Sequence, residues 1–487
     1  MKFPLAALVA LCLAAPAAAQ TPAAQAPAPQ TPGPQVPTPL PVDAAEQAAR
    51  GLRDRALRGS GAYDFVAELT TRFGPRLAGT ASEQRAAEWT ASRFRAMGFE
   101  NVRVEPFALS VWRRGVERGE IVGAHAQPLT VTSLGGSPAT PPQGLEGEVA
   151  LFETWSDLLD AAPGSLNGKI AVLLQDTPRT QTGSGYGSGS PMRSQGPREA
   201  ARRGAVAFML RSLGTHDHRF AHTGATAQEP GVVPSFALSP PDAEQLRRVA
   251  GLGAPVRVRL TGLSPAPVEG RSQNVVGEVR GRERPEEVIV IGGHLDSWDL
   301  GTGAIDDGAG VAITAAALKL IRDMPTRPRR TIRMVAFGSE EVSQPAPRQG
   351  LAGARAYADS RRADLGRHVI ASESDFGARA VYSLALPAGA DPGLVRRATR
   401  TLAPLGILFD AAPATGGGPD ITPLSQAGVP AFRLNQDGSD YFDTHHTADD
   451  VLDRIDPKQL DQNVAAWAAL LWLIADSEVA FTRPAAR

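Results

Sequence analysis

The chain has 487 residues, 42% of them hydrophobic, and its 50 Lys and Arg against 51 Asp and Glu leave a formal net charge of -1. That length suits two or three domains with sizeable cores, and the balanced charge speaks against nucleic acid as a partner. The single cysteine, Cys12, excludes a disulfide framework, thiolate catalysis and cysteine-rich zinc sites from the processed chain, so any metal ligands must be His, Asp and Glu.

Residues 1–20 read MKFPLAALVALCLAAPAAAQ. A positive Lys2, an apolar run and the small residues Ala17-Ala18-Ala19 form a signal peptide over 1–19, which implies export to a periplasm or beyond the cell. The run is shorter than the ~20 residues a spanning helix needs. Val464–Ala475, the most apolar later segment, reads as a buried terminal helix, so no stable membrane span is expected. Residues 20–42, rich in Pro, Ala, Thr and Gln, read as a disordered linker.

Folded sequence starts near Asp43, and 43–121 form the first part of the main domain. Thr80-Ala81-Ser82-Glu83 fits a capping box. Ala87, Ala91, Phe94 and Met97 then make a helical stripe that Gly98 ends. Residues 122–268 differ: short aliphatic runs (148–152, 169–174, 205–210, 256–260) alternate with Gly-, Pro- and Ser-rich loops, among them GSGYGSGS at 183–190. This reads as a β-rich insert. From 269 to 480 strands (288–292, 331–337, 368–372, 431–434) alternate with helices (308–322, 350–360, 392–402, 457–477), an α/β pattern.

Acidic residues and histidines recur where these strands end. The strand VIVIGG runs into His294-Leu295-Asp296, and Asp306 precedes the next helix. TIRMVAF is followed by Glu340-Glu341, HVIAS by Glu373-Ser374-Asp375, and His445-His446 lies in a polar loop before the last helix. In open α/β sheets ligands bind at the carboxyl ends of the strands. Adjacent buried glutamates repel unless a cation lies between them. His294, Asp306, Glu341, Asp375 and His446 together make a donor set of nitrogen and carboxylate that suits zinc, with manganese or cobalt as alternatives. Taken singly, Asp306 reads as a helix cap, the glutamate pair as solvated surface, and His294 as a half-buried histidine. His125 and His368 read as structural, and the HDHRFAH run with His216, His218 and His222 as an exposed loop of the insert.

The strings GGHLDSWDLGTGAIDDGAG, SEE, ESDFG and HHTADD resemble the co-catalytic two-zinc aminopeptidase family, and within it the carboxypeptidase Q branch, over about Tyr63 to Ala475. The resemblance implies a mixed central sheet with helices on both faces and a protease-associated-like insert. It further implies two Zn2+ per chain, one held by His294 and Asp375, the other by Glu341 and His446, with Asp306 bridging. Glu340 would be the general base, Asp296 would orient His294, and His445 or Tyr441 would steady the oxyanion. The peptide after the bridging aspartate is cis in the family. His222-Thr223-Gly224 resembles a loop of this branch that approaches substrate. The stretch VSQPAPRQ after Glu341 is longer than in relatives, and Val451 replaces the usual Thr.

Two divalent ions ~3.5–4 Å apart lower the pKa of a shared water from about 15.7 toward about 7, and Glu340 would take its proton and pass it to the leaving amine. The expected activity is hydrolysis of small unblocked peptides by an aminopeptidase or dipeptidase, and a homodimer is the further partner expected. Three rivals share the fold: a single-zinc glutaminyl cyclase-like enzyme, a deacylase of N-acyl amino acids, and a non-catalytic binding protein.

Overall fold

Alternating aliphatic residues set the centre of the molecule, a five-stranded sheet in the order Glu100–Val111, Val268–Val279, Arg330–Phe337, Arg284–His294, His368–Glu373. The computed structural model describes residues 43–485, so the expected signal peptide, the linker and Cys12 lie outside the described residues. The first three strands pair antiparallel, whereas Arg284–His294 is parallel to both of its neighbours. A bridge from Ala371 to Ala431 leads to a smaller sheet of Leu408–Phe409, Val381–Ala385 and Arg433–Gln436.

Successive strand residues point to opposite faces, and both faces are covered. Ile289 and Ile291 pack with the helices Ala44–Ala56, Ala62–Phe73, Ala81–Ala96, Ala309–Arg322 and Pro457–Ala475. Val290 and Phe337 pack with Ala352–Ser360 and Thr422–Gln426 on the other side. The last helix is buried on every side from Asn463 to Ala475, as a helix apolar all round must be. No helix among the described residues is long and apolar enough to cross a membrane.

The Ala81–Ala96 helix departs from expectation at its start. The Thr80 hydroxyl accepts from Glu83 N at 3.3 Å, but the Glu83 carboxylate accepts from Gly79 N at 2.8 Å and from the Ser272 hydroxyl. Only half of the capping box forms, because Glu83 turns inward to Ser272.

The insert has its own eight-stranded sheet: Gln127–Leu129, Glu117–Val122, Arg257–Gly262, Leu145–Phe152, Ile170–Leu173, Ala207–Arg211, Ser235–Leu238 and Val131–Ser133, in that order. Glu117–Val122 belongs to this sheet although it begins before the expected boundary at residue 122. Three helices, Trp155–Asp160, Ser184–Arg202 and Pro240–Ala250, join the strands. The glycine-rich 183–190 segment is therefore not the expected loop: from Ser184 it is the start of a helix. Gly and Ser are weak helix formers, yet a Cβ at Gly185 would lie 1.9 Å from Pro178 O, so close packing requires the bare residue.

Arg76 ties the core to the loop beyond His294. Fully buried, it donates to Gly74 O at 3.1 Å, Leu295 O at 2.7 Å, Thr302 O at 2.7 Å and Gly303 O at 2.8 Å. Burial lowers its affinity for a proton to about 10, against the pull of Asp450 and Asp296. Removing such a donor strands several buried carbonyls. Arg76→Met is expected to lose about 3–5 kcal/mol in urea unfolding, whereas a loss under about 1 kcal/mol would show that the loop holds its shape without it.

Candidate metal centre

Three neighbouring parallel strands deliver the first candidate site residues. His294 is the last residue of the central strand, Glu340 and Glu341 come after the strand on one side, and Asp375 comes after the strand on the other. Asp306 sits in the turn Ala304–Gly308 that leads into the Ala309–Arg322 helix, and the Asp306–Asp307 peptide is cis. His445 and His446 come after the short helix Tyr441–Thr444.

Asp306 is the centre of the cluster. Its Oδ1 lies 3.1 Å from His294 Nε2, and its Oδ2 lies 3.2 Å from His446 Nε2 and 3.4 Å from His445 Nε2. His294 Nε2 is also 3.5 Å from Asp375 Oδ1, and His446 Nε2 is 3.0 Å from Glu341 Oε2. The five candidate ligands thus converge, and Glu340, Tyr441 and His445 line the same cavity.

Main-chain and carboxylate partners fix these side chains. His294 Nδ1 is 2.9 Å from the main-chain carbonyl of Asp296, while the Asp296 carboxylate lies 3.7 Å away. That carboxylate instead accepts from Glu340 N at 3.1 Å and Glu341 N at 3.3 Å. Asp296 therefore steadies the two glutamates as well as the ring of His294. The capping role that Asp306 alone suggests belongs to Asp307, which accepts from Gly310 N at 2.9 Å and His294 N at 3.0 Å. Asp450 accepts from Ile305 N at 2.7 Å, which holds the turn carrying Asp306.

The field of the cluster is strongly negative. Burial works against charge on His294, but the hydrogen bonds and charges of Asp306 and Asp375 raise its proton affinity well above the usual histidine value. His446 is likewise lifted to about 9 against its burial by Glu341 and Asp306. Burial pushes Glu340 well above the ordinary carboxylate range; His294 opposes this, and Glu341 and Asp375 add to it. Asp306 Oδ2 and Glu341 Oε1 are buried and accept no hydrogen bond. The ligand atoms of His294, Asp306 and Glu341 lie within 4.8 Å of one another, as do those of Asp306, His445 and His446. Imidazole and carboxylate donors without thiolate, carrying orphaned buried oxygens, fit a zinc ion.

The insert helps to build the site. Gly183, Tyr186, Gly187, Ser190, Arg193 and Ala225 line the cavity of about 360 Å3 opposite the ligands. The HDHRFAH run is not wholly the exposed loop expected of it: His216 and His222 are buried, while Asp217, His218 and Arg219 remain exposed. His222 Nδ1 is 2.7 Å from His445 O, a contact across 223 positions that no local pattern signals. Arg76, Tyr186 and Arg193 are equally hidden in the sequence, since a lone Arg or Tyr carries no motif, whereas Asp450 closes the HHTADD string. His368, read as structural, is buried against the Tyr357 hydroxyl at 3.1 Å, and His125 is exposed.

Residues 274–471 match peptidase family M28. Carboxypeptidase Q of Bos taurus is 33% identical over 420 residues, covering 85% of either chain. A peptidase M28 precursor from Shewanella amazonensis SB2B superposes with a TM-score of 0.86 at 43% identity, over 90% of this chain and 98% of that one. The zinc aminopeptidase BSAP of Bacillus subtilis shares the fold at TM-score 0.61 and 21% identity, over 86% of this chain and 95% of its own. This chain belongs to peptidase family M28 and is a metallopeptidase.

Proposed function

We propose that the chain is an exported two-zinc exopeptidase, of aminopeptidase or dipeptidase type, that hydrolyses small unblocked peptides. The observation that carries this reading is the meeting of His294 and His446 on the two oxygens of Asp306, with Asp375 beside His294 and Glu341 beside His446. In this reading His294 and Asp375 would hold one zinc ion and Glu341 and His446 the other, with Asp306 shared between them. The zinc ions supply Lewis acidity, which acidifies water and polarises the scissile carbonyl.

The chain's own groups do the rest. Glu340 lines the cavity beside the ligands, with its main chain pinned by Asp296. It accepts the proton of the attacking water and returns it to the leaving amine. His445, stacked on His446 with ring centroids 3.4 Å apart, and Tyr441 face the cavity as candidates to steady the oxyanion. Export rests on the sequence of residues 1–19.

The cavity supports a small substrate, since about 360 Å3 is near the lower end of ligand pockets. Its wall carries one buried cation, Arg193, held at 2.5 Å from the Tyr186 hydroxyl and 3.3 Å from Ala225 O. Among the described residues it forms no carboxylate pair, so its charge is available to the free carboxylate of a short peptide.

Glu340→Gln is expected to retain its full zinc content while kcat on a dipeptide falls by about a hundred- to ten-thousand-fold. Near-normal turnover in that variant would remove Glu340 from the chemistry. Arg193→Gln is expected to lower kcat/KM on a free dipeptide by about 10- to 100-fold and to leave the C-terminally amidated peptide almost unaffected. An equal loss on both peptides would deny Arg193 a part in carboxylate recognition.

A further inference from the structure

His446 sits at φ 59°, a left-handed conformation that disfavours a residue with a Cβ and persists only where its surroundings impose it. Those surroundings come from the insert. Thr223 N donates to His446 O at 3.0 Å, His446 Nδ1 is 3.3 Å from Thr223 O, and His222 Nδ1 is 2.7 Å from His445 O. Both main-chain atoms of Thr223 thus grip one candidate ligand, and the neighbouring imidazole grips the residue before it.

The chemistry of these contacts assigns the tautomers. A carbonyl oxygen only accepts, so His446 and His222 each carry a proton on Nδ1. In the neutral ring that a metal requires, the Nδ1 proton leaves His446 Nε2 bare toward Glu341 and Asp306. In the neutral His222 ring Nε2 is then an acceptor, and the donor is His216 Nε2, 2.5 Å away. His216 Nδ1 in turn accepts from His218 N at 2.8 Å. The two rings form a chain whose proton positions are set by a main-chain group at either end.

This chain is anchored in the body of the insert. His222 N donates to the Ser212 hydroxyl at 3.0 Å, and Ser212 is itself bound through N and Oγ to Leu238 O, at 2.9 and 2.8 Å, beside the insert's sheet. A Cβ at Gly214 would lie 2.2 Å from His222 Nε2, so the ring is seated over a bare glycine.

We propose that His222 is a positioning residue through which the insert, by the bond of its Nδ1 to His445 O, holds His446 in its metal-binding orientation and so sets zinc affinity. The inference rests on the metal reading above. It makes the insert part of the metal centre's support as well as a wall of the substrate cavity.

The test measures zinc affinity of the full chain by competition with a fluorescent zinc chelator, for wild type, His222→Ala and His222→Asn. The amide nitrogen of Asn reaches the place of Nδ1, which restores the donor to His445 O without the link to His216. Circular dichroism and the Tm of the metal-free proteins report on folding. His222→Ala is expected to weaken zinc binding by about 10- to 100-fold at unchanged metal-free Tm, and His222→Asn to stay within about threefold of wild type. An alanine variant that binds zinc like wild type overturns the proposal, as does equal weakening in both variants. Should the alanine variant fail to fold, the asparagine variant decides: wild-type affinity supports the proposal and a loss overturns it. A wild type that binds no zinc overturns the metal reading itself, and is recognised before any variant is compared.

Discussion

Asp306, Glu340, Glu341 and Asp375 crowd the ends of three adjacent strands around a single point. Each buried carboxylate costs several kcal/mol unless positive charge meets it. The protein answers with imidazoles drawn toward protonation, His294 and His446, and with oxygens left free to face a cation. Nearly every other feature near the cleft exists to hold that concentration of charge in one geometry.

The supports are main-chain contacts more often than side-chain pairs. Arg76 binds the carbonyls of the loop between His294 and Asp306, Asp307 ties the start of the next helix back to His294, and Asp450 fastens Ile305. Asp296 does the same for the glutamate turn. A loop fixed at its backbone cannot swing its ligands, and such preorganisation separates a metal site from an exposed acidic patch. The insert contributes in the same way, since Thr223 meets His446 through both of its main-chain polar atoms.

How much of this is legible in the sequence depends on which forces are local. The strand-then-acid pattern is local: a buried aliphatic run must end, and the residues just past its end lie at the sheet edge. His294, Glu340, Glu341 and Asp375 can therefore be placed from the sequence. Asp306 and His446 join the donor set as part of the joint pattern, but their assignment to particular ions needs the family resemblance, because a lone Asp before a helix is ordinarily a cap, the role Asp307 in fact takes. The helix over Ser184–Arg202 is hidden because glycine and serine disfavour helix, and only close packing against Pro178 explains them. His216 and His222 resemble a solvated loop for want of any periodic apolar partner. The His222 ring finds His445 O only when the chain has folded across more than one sheet.

Diffraction at the zinc absorption edge, from crystals of the protein loaded with zinc, tests the central claim most directly. The account predicts two anomalous peaks about 3.5–4 Å apart, one beside His294 and Asp375, the other beside Glu341 and His446, with the Asp306 carboxylate between them. A single peak, or zinc bound away from Asp306, would contradict it.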